Sequence, residues 1–214
     1  MRWTLKSDPD KSRVQKLVDA LSVQPAIARL LVQRGISSFD QAKAFFRPQL
    51  GDLHDPFLMK DMDKATSRIH KALSNKERIL VYGDYDVDGT TSVALMATYL
   101  EDKTPEVATY IPDRFTEGYG ISTKGVDYAS DNDFKLIIAL DCGVKAIEKV
   151  QYAKEKGIDF IICDHHLPGD KLPAAVAVLD PKRSDCNYPF KELCGCGVGF
   201  KLIQALGQKY KESI

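Results

Sequence analysis

The stretch Ile79–Ser92 reads ILVYGDYDVDGTTS. Its first four residues favour a buried β-strand, a glycine then interrupts the strand, and residues 90–100 favour a helix. The turn between strand and helix carries three carboxylates within five residues: Asp84, Asp86 and Asp88. Such a cluster is stable when a cation or protons neutralise it, or when water solvates it fully. Because a strand and a helix enclose this turn, and open α/β sheets bind ligands at the carboxyl ends of their strands, we predict a ligand site here.

Two other motif families share part of this pattern. The acidic turn matches the first half of an EF-hand calcium loop, but its twelfth position is Leu95, where a bidentate Glu is needed. Residues 86–90 also match the nucleophile motif of haloacid-dehalogenase-type phosphatases, which would make Asp86 a covalent nucleophile and Asp88 a general acid. That motif requires the strand to run directly into the first Asp, whereas three residues intervene here. The EF-hand is rejected, and the phosphatase is kept as a minor alternative.

Length and composition indicate an ordinary globular protein. The chain has 214 residues, of which 44% are hydrophobic and 28% are charged, and its formal net charge is zero. No apolar run predicts a membrane span, and the first residues lack the core of a signal peptide, so we expect a cytoplasmic protein without a membrane partner. The five cysteines are expected to be reduced and mostly buried, since their number is odd and Cys142 and Cys163 lie in or at the end of apolar strands. The spacing of Cys186, Cys194 and Cys196 is not that of a usual zinc site. Zero net charge argues against a broad phosphate-binding surface, although it leaves room for a local basic groove.

The first 75 residues are predicted to form a helical lead-in without catalytic groups. Apolar residues recur at helical spacing in residues 12–21, 25–34 and 62–74. Another helix should start after the N-cap Ser38 and end before Pro48, and Gly35 should form a left-handed cap. We interpret His54 and His70 as surface or structural residues.

Strands and helices alternate in the rest of the chain, which predicts an α/β domain over residues 76–214. The sheet should be mostly parallel, with helices on both faces, because such alternation produces right-handed crossovers. The predicted strands cover residues 79–82, 106–111, 135–140, 158–163 and 174–179. The predicted helices cover residues 90–101, 122–130, 145–156 and 197–211.

Carboxylates follow the predicted strands at their carboxyl ends. The third predicted strand runs into Asp141, the fourth into Asp164, His165 and His166, and the fifth into Asp180. Parallel strands present these ends at one edge of the sheet, so the groups should converge with the acidic turn although they are distant in sequence.

This set of ligands predicts a divalent metal centre. Carboxylates with one or two imidazoles suit manganese better than calcium or magnesium, and zinc remains open. The carboxylates exceed the needs of one ion, so we expect two ions with Asp141 as their bridge, an arrangement that serves in-line phosphoryl displacement. The second His of the doublet could stay off the metal and donate to the phosphate. Arg114 could clamp a phosphate, or could instead form a surface salt bridge with Glu117.

In combination, these motifs resemble the DHH phosphoesterase superfamily, and within it the RecJ-type single-strand-specific exonucleases. The resemblance covers nearly the whole chain. It is carried by residues 83–92, the Asp141-Cys142-Gly143 triplet, the loop 114–120, the Asp164-His165-His166 triplet, residues 187–201, and the pairs Arg34-Gly35 and Asp55-Pro56.

The resemblance implies a 5′ to 3′ exonuclease on single-stranded DNA, using two Mn²⁺ or Mg²⁺ ions, in DNA repair and recombination. It implies a DHH-type phosphoesterase domain and a monomer, with single-strand-binding protein or a helicase as candidate protein partners. The implied site residues are Asp86, Asp88, Asp141 and His165 for metal binding, Asp84 and His166 for catalysis, and Arg114 for substrate binding.

The sequence departs from the family pattern at its C-terminal end. The family has a further acidic ligand after the helix that contains residues 197–201, and this chain stops at Ile214, so we expect a piece of a longer protein that folds but is inactive or weakly active alone. Asp180 does not replace that ligand by motif. Pyrophosphatases and short-oligonucleotide or cyclic-dinucleotide phosphodiesterases of the superfamily remain alternatives, but their first motif usually begins with His, where this chain has Tyr82. A non-catalytic replication scaffold is a second alternative.

Overall fold

The structure is a computed structural model and describes residues 2–211. The chain consists of two compact units, Met1–Leu53 and His54–Ile214. No helix within the described residues is long and apolar enough to cross a lipid bilayer.

The first unit is helical, as predicted. It contains α1 (Lys11–Leu21), α2 (Pro25–Gln33), α3 (Phe39–Phe46) and a 3₁₀ turn at Leu50–Asp52. Leu17, Ala28 and Leu31 form its small buried core. The predicted caps are confirmed, since the Ser38 side chain accepts a hydrogen bond from Gln41 N and Gly35 has a φ of 81°.

The second unit is built on a five-stranded parallel sheet with the order β2-β1-β3-β4-β5. The strands are β1 (Arg78–Gly83), β2 (Val107–Tyr110), β3 (Phe134–Leu140), β4 (Asp159–Cys163) and β5 (Ala177–Leu179). The helices are α4 (Met62–Ser74), α5 (Val87–Glu101), α6 (Thr123–Asp131), α7 (Ile147–Glu155) and α8 (Gly195–Tyr210), with a 3₁₀ turn at Pro56–Leu58. The predicted α/β class is confirmed.

Each face of the sheet carries its own apolar core. Ile79 and Val81 point into the core formed with α4, α5 and α8, whereas Leu80 and Tyr82 point into the core formed with α6 and α7. This alternation follows from the two-residue period of a strand, and it buries both faces as parallel sheets require. The prediction of helices on both faces is therefore also confirmed.

Two of the differences from the boundaries expected from the sequence have a clear structural cause. α5 begins at Val87 rather than at residue 90, because the Asp86 side chain accepts a hydrogen bond from Gly89 N and caps the helix there. α4 belongs to the second unit, although the sequence assigned it to the helical lead-in. It does so because Ala65 and Ile69 pack in the core under the sheet, a contact that helical periodicity alone does not reveal.

Arg183 connects three parts of the second unit. Its Nη1 donates to Asp61 Oδ2 and to the Val178 carbonyl oxygen, at 2.6 Å in each case. Its Nε and Nη2 donate to the two carboxylate oxygens of Asp185 at 2.9 and 2.8 Å. Burial opposes ionisation of Asp61, but hydrogen bonds from Lys64 and Arg183 hold the pKa of its carboxyl below the usual range. The arginine thus ties the start of α4 to β5 and to the loop after it.

We expect Arg183→Ala to lower the free energy of unfolding by about 3 kcal/mol, because it removes one partner of a buried ion pair. The matched control is Asp185→Ala, which should cost less than about 1 kcal/mol because the Asp185 side chain is 51% exposed. Urea unfolding of both variants measures the difference. Equal losses would show that Arg183 does not act through Asp61 and Val178.

Candidate metal centre

Three neighbouring strands bring acidic and histidine side chains to one edge of the sheet. β3 lies between β1 and β4. Asp84 follows β1, Asp141 follows β3, and Asp164 begins the Asp-His-His turn after β4. The predicted convergence therefore occurs, because parallel strands present their carboxyl ends on the same edge.

Ligand atoms of five side chains form two groups that share one residue. Oxygens of Asp84, Asp86 and Asp141 lie within 4.8 Å of one another, and so do ligand atoms of Asp141, His165 and His166. Asp141 belongs to both groups. Carboxylate oxygens combined with imidazole nitrogens are the donor set of a hard-to-borderline divalent cation such as Mn²⁺, so the residues present fit such an ion.

Two of these carboxylates are buried without a compensating donor. Asp84 is 0% and Asp141 2% exposed, and within residues 2–211 no hydrogen bond reaches either oxygen of Asp84 or Oδ1 of Asp141. Burial, followed by the charges of Asp88 and Asp86, raises the pKa of Asp141 to about 7. Burial also raises the pKa of Asp84. Buried unpaired carboxylates are costly, and a bound cation is a partner that offsets this cost.

The Nε2 atom of His165 lies close to two of the carboxylates. It lies 3.1 Å from Asp141 Oδ1 and 3.7 Å from Asp88 Oδ2. The shorter contact lacks the geometry of a hydrogen bond. Both distances are compatible with ligand atoms that share one ion.

Asp88 has a structural role that sequence reasoning missed. Its two oxygens accept hydrogen bonds from Gly195 N and Cys196 N, each at 2.7 Å, where α8 begins. A carboxylate at a helix N-terminus is favoured by the helix dipole and by the free N–H groups of the first turn. Asp88 lies outside both three-residue groups of the described chain, although each of its oxygens keeps a second lone pair. Its assignment as a metal ligand stays a prediction.

Asp164 organises the turn that carries the two histidines. Its Oδ2 accepts from Val144 N at 2.9 Å, and its Oδ1 accepts from His165 N at 2.7 Å and His166 N at 3.2 Å. The same Oδ1 lies 2.7 Å from His166 Nδ1, which leaves His166 Nε2 facing the Tyr119 hydroxyl at 3.3 Å. Asp164 thus positions His166. In the sequence, the indication of this role was that Asp164 directly follows a predicted strand.

The backbone around Asp141 leaves no spare space. Asp141 has a φ of 59°, in the left-handed region that disfavours most side chains. A Cβ at Gly195 would lie 2.5 Å from the Cβ and Oδ1 of Asp141, so a glycine is required there. The start of α8 therefore packs directly on the proposed bridging carboxylate.

Arg114 forms no salt bridge with Glu117. Its guanidinium carbon lies 5.3 Å from the centre of the Tyr85 ring, which is a cation–π contact. The Glu117 carboxylate instead accepts hydrogen bonds from Tyr110, Ser122 and Asp113. The alternative of a surface salt bridge with Glu117 is therefore wrong, and the binding of a substrate by Arg114 stays a prediction.

Asp180 stands apart from both groups. It is fully buried, its Oδ1 accepts from Lys182 N at 2.7 Å, and burial raises the pKa of its carboxyl to about 6. Its Oδ2 has no hydrogen-bond partner among residues 2–211. Beside the histidine turn, a cleft of about 550 Å³ has Tyr119, His166 and residues 142–149 among its lining residues.

Comparison with known proteins identifies this arrangement. The family model for the N-terminal domain of the DHH family matches residues 78–214, which include all five strands and the whole candidate centre. The chain belongs to the DHH family. The Asp-His-His triplet of this DHH domain is the turn that Asp164 organises.

The DHH chain is also similar to individual exonucleases. It is 45% identical over 206 residues to the single-stranded-DNA-specific exonuclease RecJ of Bacillus subtilis, covering 96% of this chain and 26% of that relative. It is 38% identical over 184 residues to RecJ of Escherichia coli, covering 85% of this chain and 31% of that relative. A solved structure of Thermus thermophilus RecJ in complex with Mn²⁺ superposes with a TM-score of 0.78 and 27% identity, over 99% of this chain and 29% of that one. The chain thus spans about a quarter to a third of these relatives.

We expect Asp141→Asn to stabilise the metal-free protein by about 2 kcal/mol, because the amide removes a buried like charge and tolerates the left-handed backbone. The same variant should lose the stabilisation that Mn²⁺ gives the unchanged protein, which is about 2.7 kcal/mol at 100 times the dissociation constant. Urea unfolding in chelator and in Mn²⁺ measures both effects.

Asp170→Asn is the matched control for this experiment, since Asp170 is exposed and lies outside both ligand groups. It should change neither measurement. If Asp141→Asn destabilises the metal-free protein, the carboxylate contributes more to the fold than its charge costs.

Proposed function

We propose that the protein is a metal-dependent phosphodiesterase that degrades single-stranded DNA from the 5′ end, in DNA repair and recombination. The observation that carries this proposal is the pair of ligand groups sharing Asp141, in a DHH sequence similar to single-strand-specific exonucleases. We assign the phosphoesterase domain to residues 76–214, preceded by the helical segment 1–75. Because the chain spans a minor part of its relatives, the activity, substrate and partners of the whole protein are all part of the proposal.

The proposed cofactor is a pair of Mn²⁺ or Mg²⁺ ions. The ligand chemistry supports Mn²⁺, and the T. thermophilus relative was solved with Mn²⁺. We assign metal binding to Asp86, Asp88, Asp141 and His165, with Asp141 as the bridge between the two groups. Two bound ions supply Lewis acidity toward the phosphoryl oxygens and activation of water. Asp84, buried and without a donor of its own, completes the acidic side of the site.

His166 is proposed to donate a hydrogen bond to a phosphoryl oxygen. Asp164 accepts the hydrogen bond of His166 Nδ1 and is itself held by three backbone N–H groups, so the ring orientation is set before a substrate arrives. When the imidazole is protonated, Asp164 stabilises its charge and Nε2–H can donate to charge that develops on the phosphate. His166 then acts on the substrate rather than as a ligand.

Arg114 is proposed to bind a backbone phosphate of the substrate. An arginine without a carboxylate partner offers a planar fork that matches phosphate geometry. Its contact with Tyr85 directs the guanidinium along the side of the acidic turn. A single bound strand would then pass Arg114 before reaching the ions.

The proposed partner is single-stranded DNA, and single-strand-binding protein or a helicase would supply such strands. We propose a monomer, since one chain provides both ligand groups. A DNA substrate and five free cysteines are in keeping with a cytoplasmic enzyme.

We expect the full-length protein in Mn²⁺ to hydrolyse a 5′-labelled single strand roughly 100-fold faster than a blunt duplex, because unpairing and unstacking cost a few kcal/mol per base. Single strands labelled at either end establish polarity, and release of the 5′ label first supports the proposed direction. Pyrophosphate, dinucleotides and a cyclic dinucleotide serve as rival substrates in the same assay. Faster turnover of any of these, or equal rates on duplex and single strand, would reject the exonuclease assignment.

We expect Asp141→Asn to lower the rate on single-stranded DNA by about 10³-fold, because the ions contribute several kcal/mol to the transition state and need this carboxylate. Asp180→Asn is the matched control: this aspartate is also buried at the end of a strand of the same sheet, but lies outside both groups. It should keep a near-normal rate. A normal rate for Asp141→Asn would remove the bridging role.

A further inference from the structure

The loop Pro112–Gly120 is closed on itself by hydrogen bonds. Asp113 Oδ1 accepts from Phe115 N at 3.0 Å and Thr116 N at 2.8 Å, and its carbonyl oxygen accepts from Glu117 N at 2.9 Å. These bonds form a tight turn that presents Arg114 and Phe115 to solvent. Gly118 and Gly120, with φ of 83° and 76°, reverse the chain toward α6. The turn fixes its own shape, but its position on the sheet depends on other residues.

The Glu117 carboxylate fastens this loop to the sheet. Its Oε2 accepts from the Tyr110 hydroxyl at the end of β2 at 2.8 Å and from Ser122 Oγ at 2.6 Å. Its Oε1 accepts from Asp113 N at 3.0 Å. Burial opposes ionisation of Glu117, but these hydrogen bonds hold its pKa below the usual range. One carboxylate therefore joins the strand before the loop, the first residues of the loop and the N-cap of α6.

A buried tyrosine supports the other end of the loop. Tyr82, in β1, is 0% exposed, and its hydroxyl donates to the Gly120 carbonyl oxygen at 2.9 Å and accepts from Ser122 N at 3.0 Å. Its ring stacks on that of Tyr110, with centroids 5.3 Å apart. The loop is thus fastened to β1 through Tyr82 and to the edge strand β2 through Tyr110, and the rings of these two tyrosines pack on each other.

Two side chains on the fastened loop lie beside the candidate centre. Tyr119 makes edge contacts with both Tyr85 and His166, at 6.2 Å between ring centroids in each case. Arg114 lies over the Tyr85 ring and forms no salt bridge within residues 2–211. Because Glu117 is occupied by three donors, it holds the loop without neutralising Arg114.

We propose that Glu117 is a positioning residue, which holds Pro112–Gly120 so that Arg114 meets the phosphate backbone of the strand at the metal centre. The inference rests on the proposed function, since it assumes a nucleic-acid substrate for Arg114. Glu117 touches neither the ligand groups nor the substrate. Its effect should therefore appear in substrate binding rather than in the chemical step.

The first test measures steady-state kinetics of the full-length protein on single-stranded DNA in Mn²⁺. Glu117→Ala should raise KM about tenfold with kcat nearly unchanged, because a charge-assisted contact to phosphate is lost when the loop moves. Glu117→Gln should keep most of the affinity. Its amide oxygen can still accept from Asp113 N, and its amide group can form hydrogen bonds with the hydroxyls of Tyr110 and Ser122. Glu155→Ala, an exposed glutamate on α7, is the matched control and should leave KM unchanged. An unchanged KM, or a loss confined to kcat, in Glu117→Ala would overturn the proposal.

A double variant tests whether Glu117 acts through Arg114. In an Arg114→Ala background, Glu117→Ala should raise KM by less than about twofold, since coupled residues are not additive. A full tenfold increase in that background would mean that Glu117 acts by another route and would overturn the proposal.

A readout without DNA separates this inference from the proposed function. Arg114 lies in an exposed loop, so trypsin cleavage after it reports how firmly the loop is held. Glu117→Ala should be cleaved after Arg114 about tenfold faster than Glu117→Gln or the unchanged protein. The unchanged protein could fail to bind or cleave DNA while trypsin still cleaves Glu117→Ala faster than the other two proteins. The proposed function would then be wrong, but the fastening of the loop by Glu117 would be supported. Equal cleavage of all three proteins would refute the fastening itself, whatever the nuclease activity.

Discussion

The candidate centre is organised around the burial of the Asp141 carboxylate, which is shared by two groups of side chains that could bind a metal ion. The residue follows the central strand β3, in a left-handed backbone conformation, with Gly195 of α8 packed against it. Its neighbours Asp84 and Asp86 carry the same charge, and its Oδ1 receives no hydrogen bond from the described residues. A cation bound at this edge would offset the cost of the buried charges, so the proposed metal binding would also stabilise the fold.

The aspartates at the edge divide into two kinds, according to their hydrogen bonds. Both oxygens of Asp88 and of Asp164 accept hydrogen bonds from backbone N–H groups: Asp88 joins α5 to α8, and Asp164 joins the turn after β3 to the turn after β4. Asp84 and Asp141 have buried oxygens without donors. The hydrogen-bonded carboxylates hold the helices and turns together, although each oxygen of Asp88 keeps a lone pair for the proposed ion, and the oxygens without donors are those whose charge a bound cation would neutralise. Sequence position does not separate the two kinds, since all four follow strands or lie in the same acidic turn.

Hydrogen bonds also decide which charged group is left unpaired in the loop Pro112–Gly120. Glu117 is saturated by three donors and is thereby withdrawn from Arg114, although the two lie three positions apart in the chain. Arg114 forms no salt bridge within residues 2–211, so its charge would be available to the proposed phosphate, in a protein whose formal net charge is zero. A protein without net charge can bind a polyanion when basic side chains near the binding site have no carboxylate partner. The attraction then comes from these few side chains rather than from the charge of the whole surface.

Local sequence determined much of this protein. Alternating strand and helix patterns predicted the parallel sheet, and the positions of Asp84, Asp141 and the Asp-His-His triplet at strand ends predicted their convergence, because both depend on periodicity and strand direction. Tertiary structure alone decided which N–H groups meet which carboxylates. Asp88 finds its donors 107 and 108 positions further along the chain, and α4 joins the sheet domain through contacts that its helical pattern does not encode. Hydrogen-bond partners and packing neighbours of this kind arise only when distant elements come together, so a one-dimensional pattern shows which residues can bind a metal but not which of them are left free to do so.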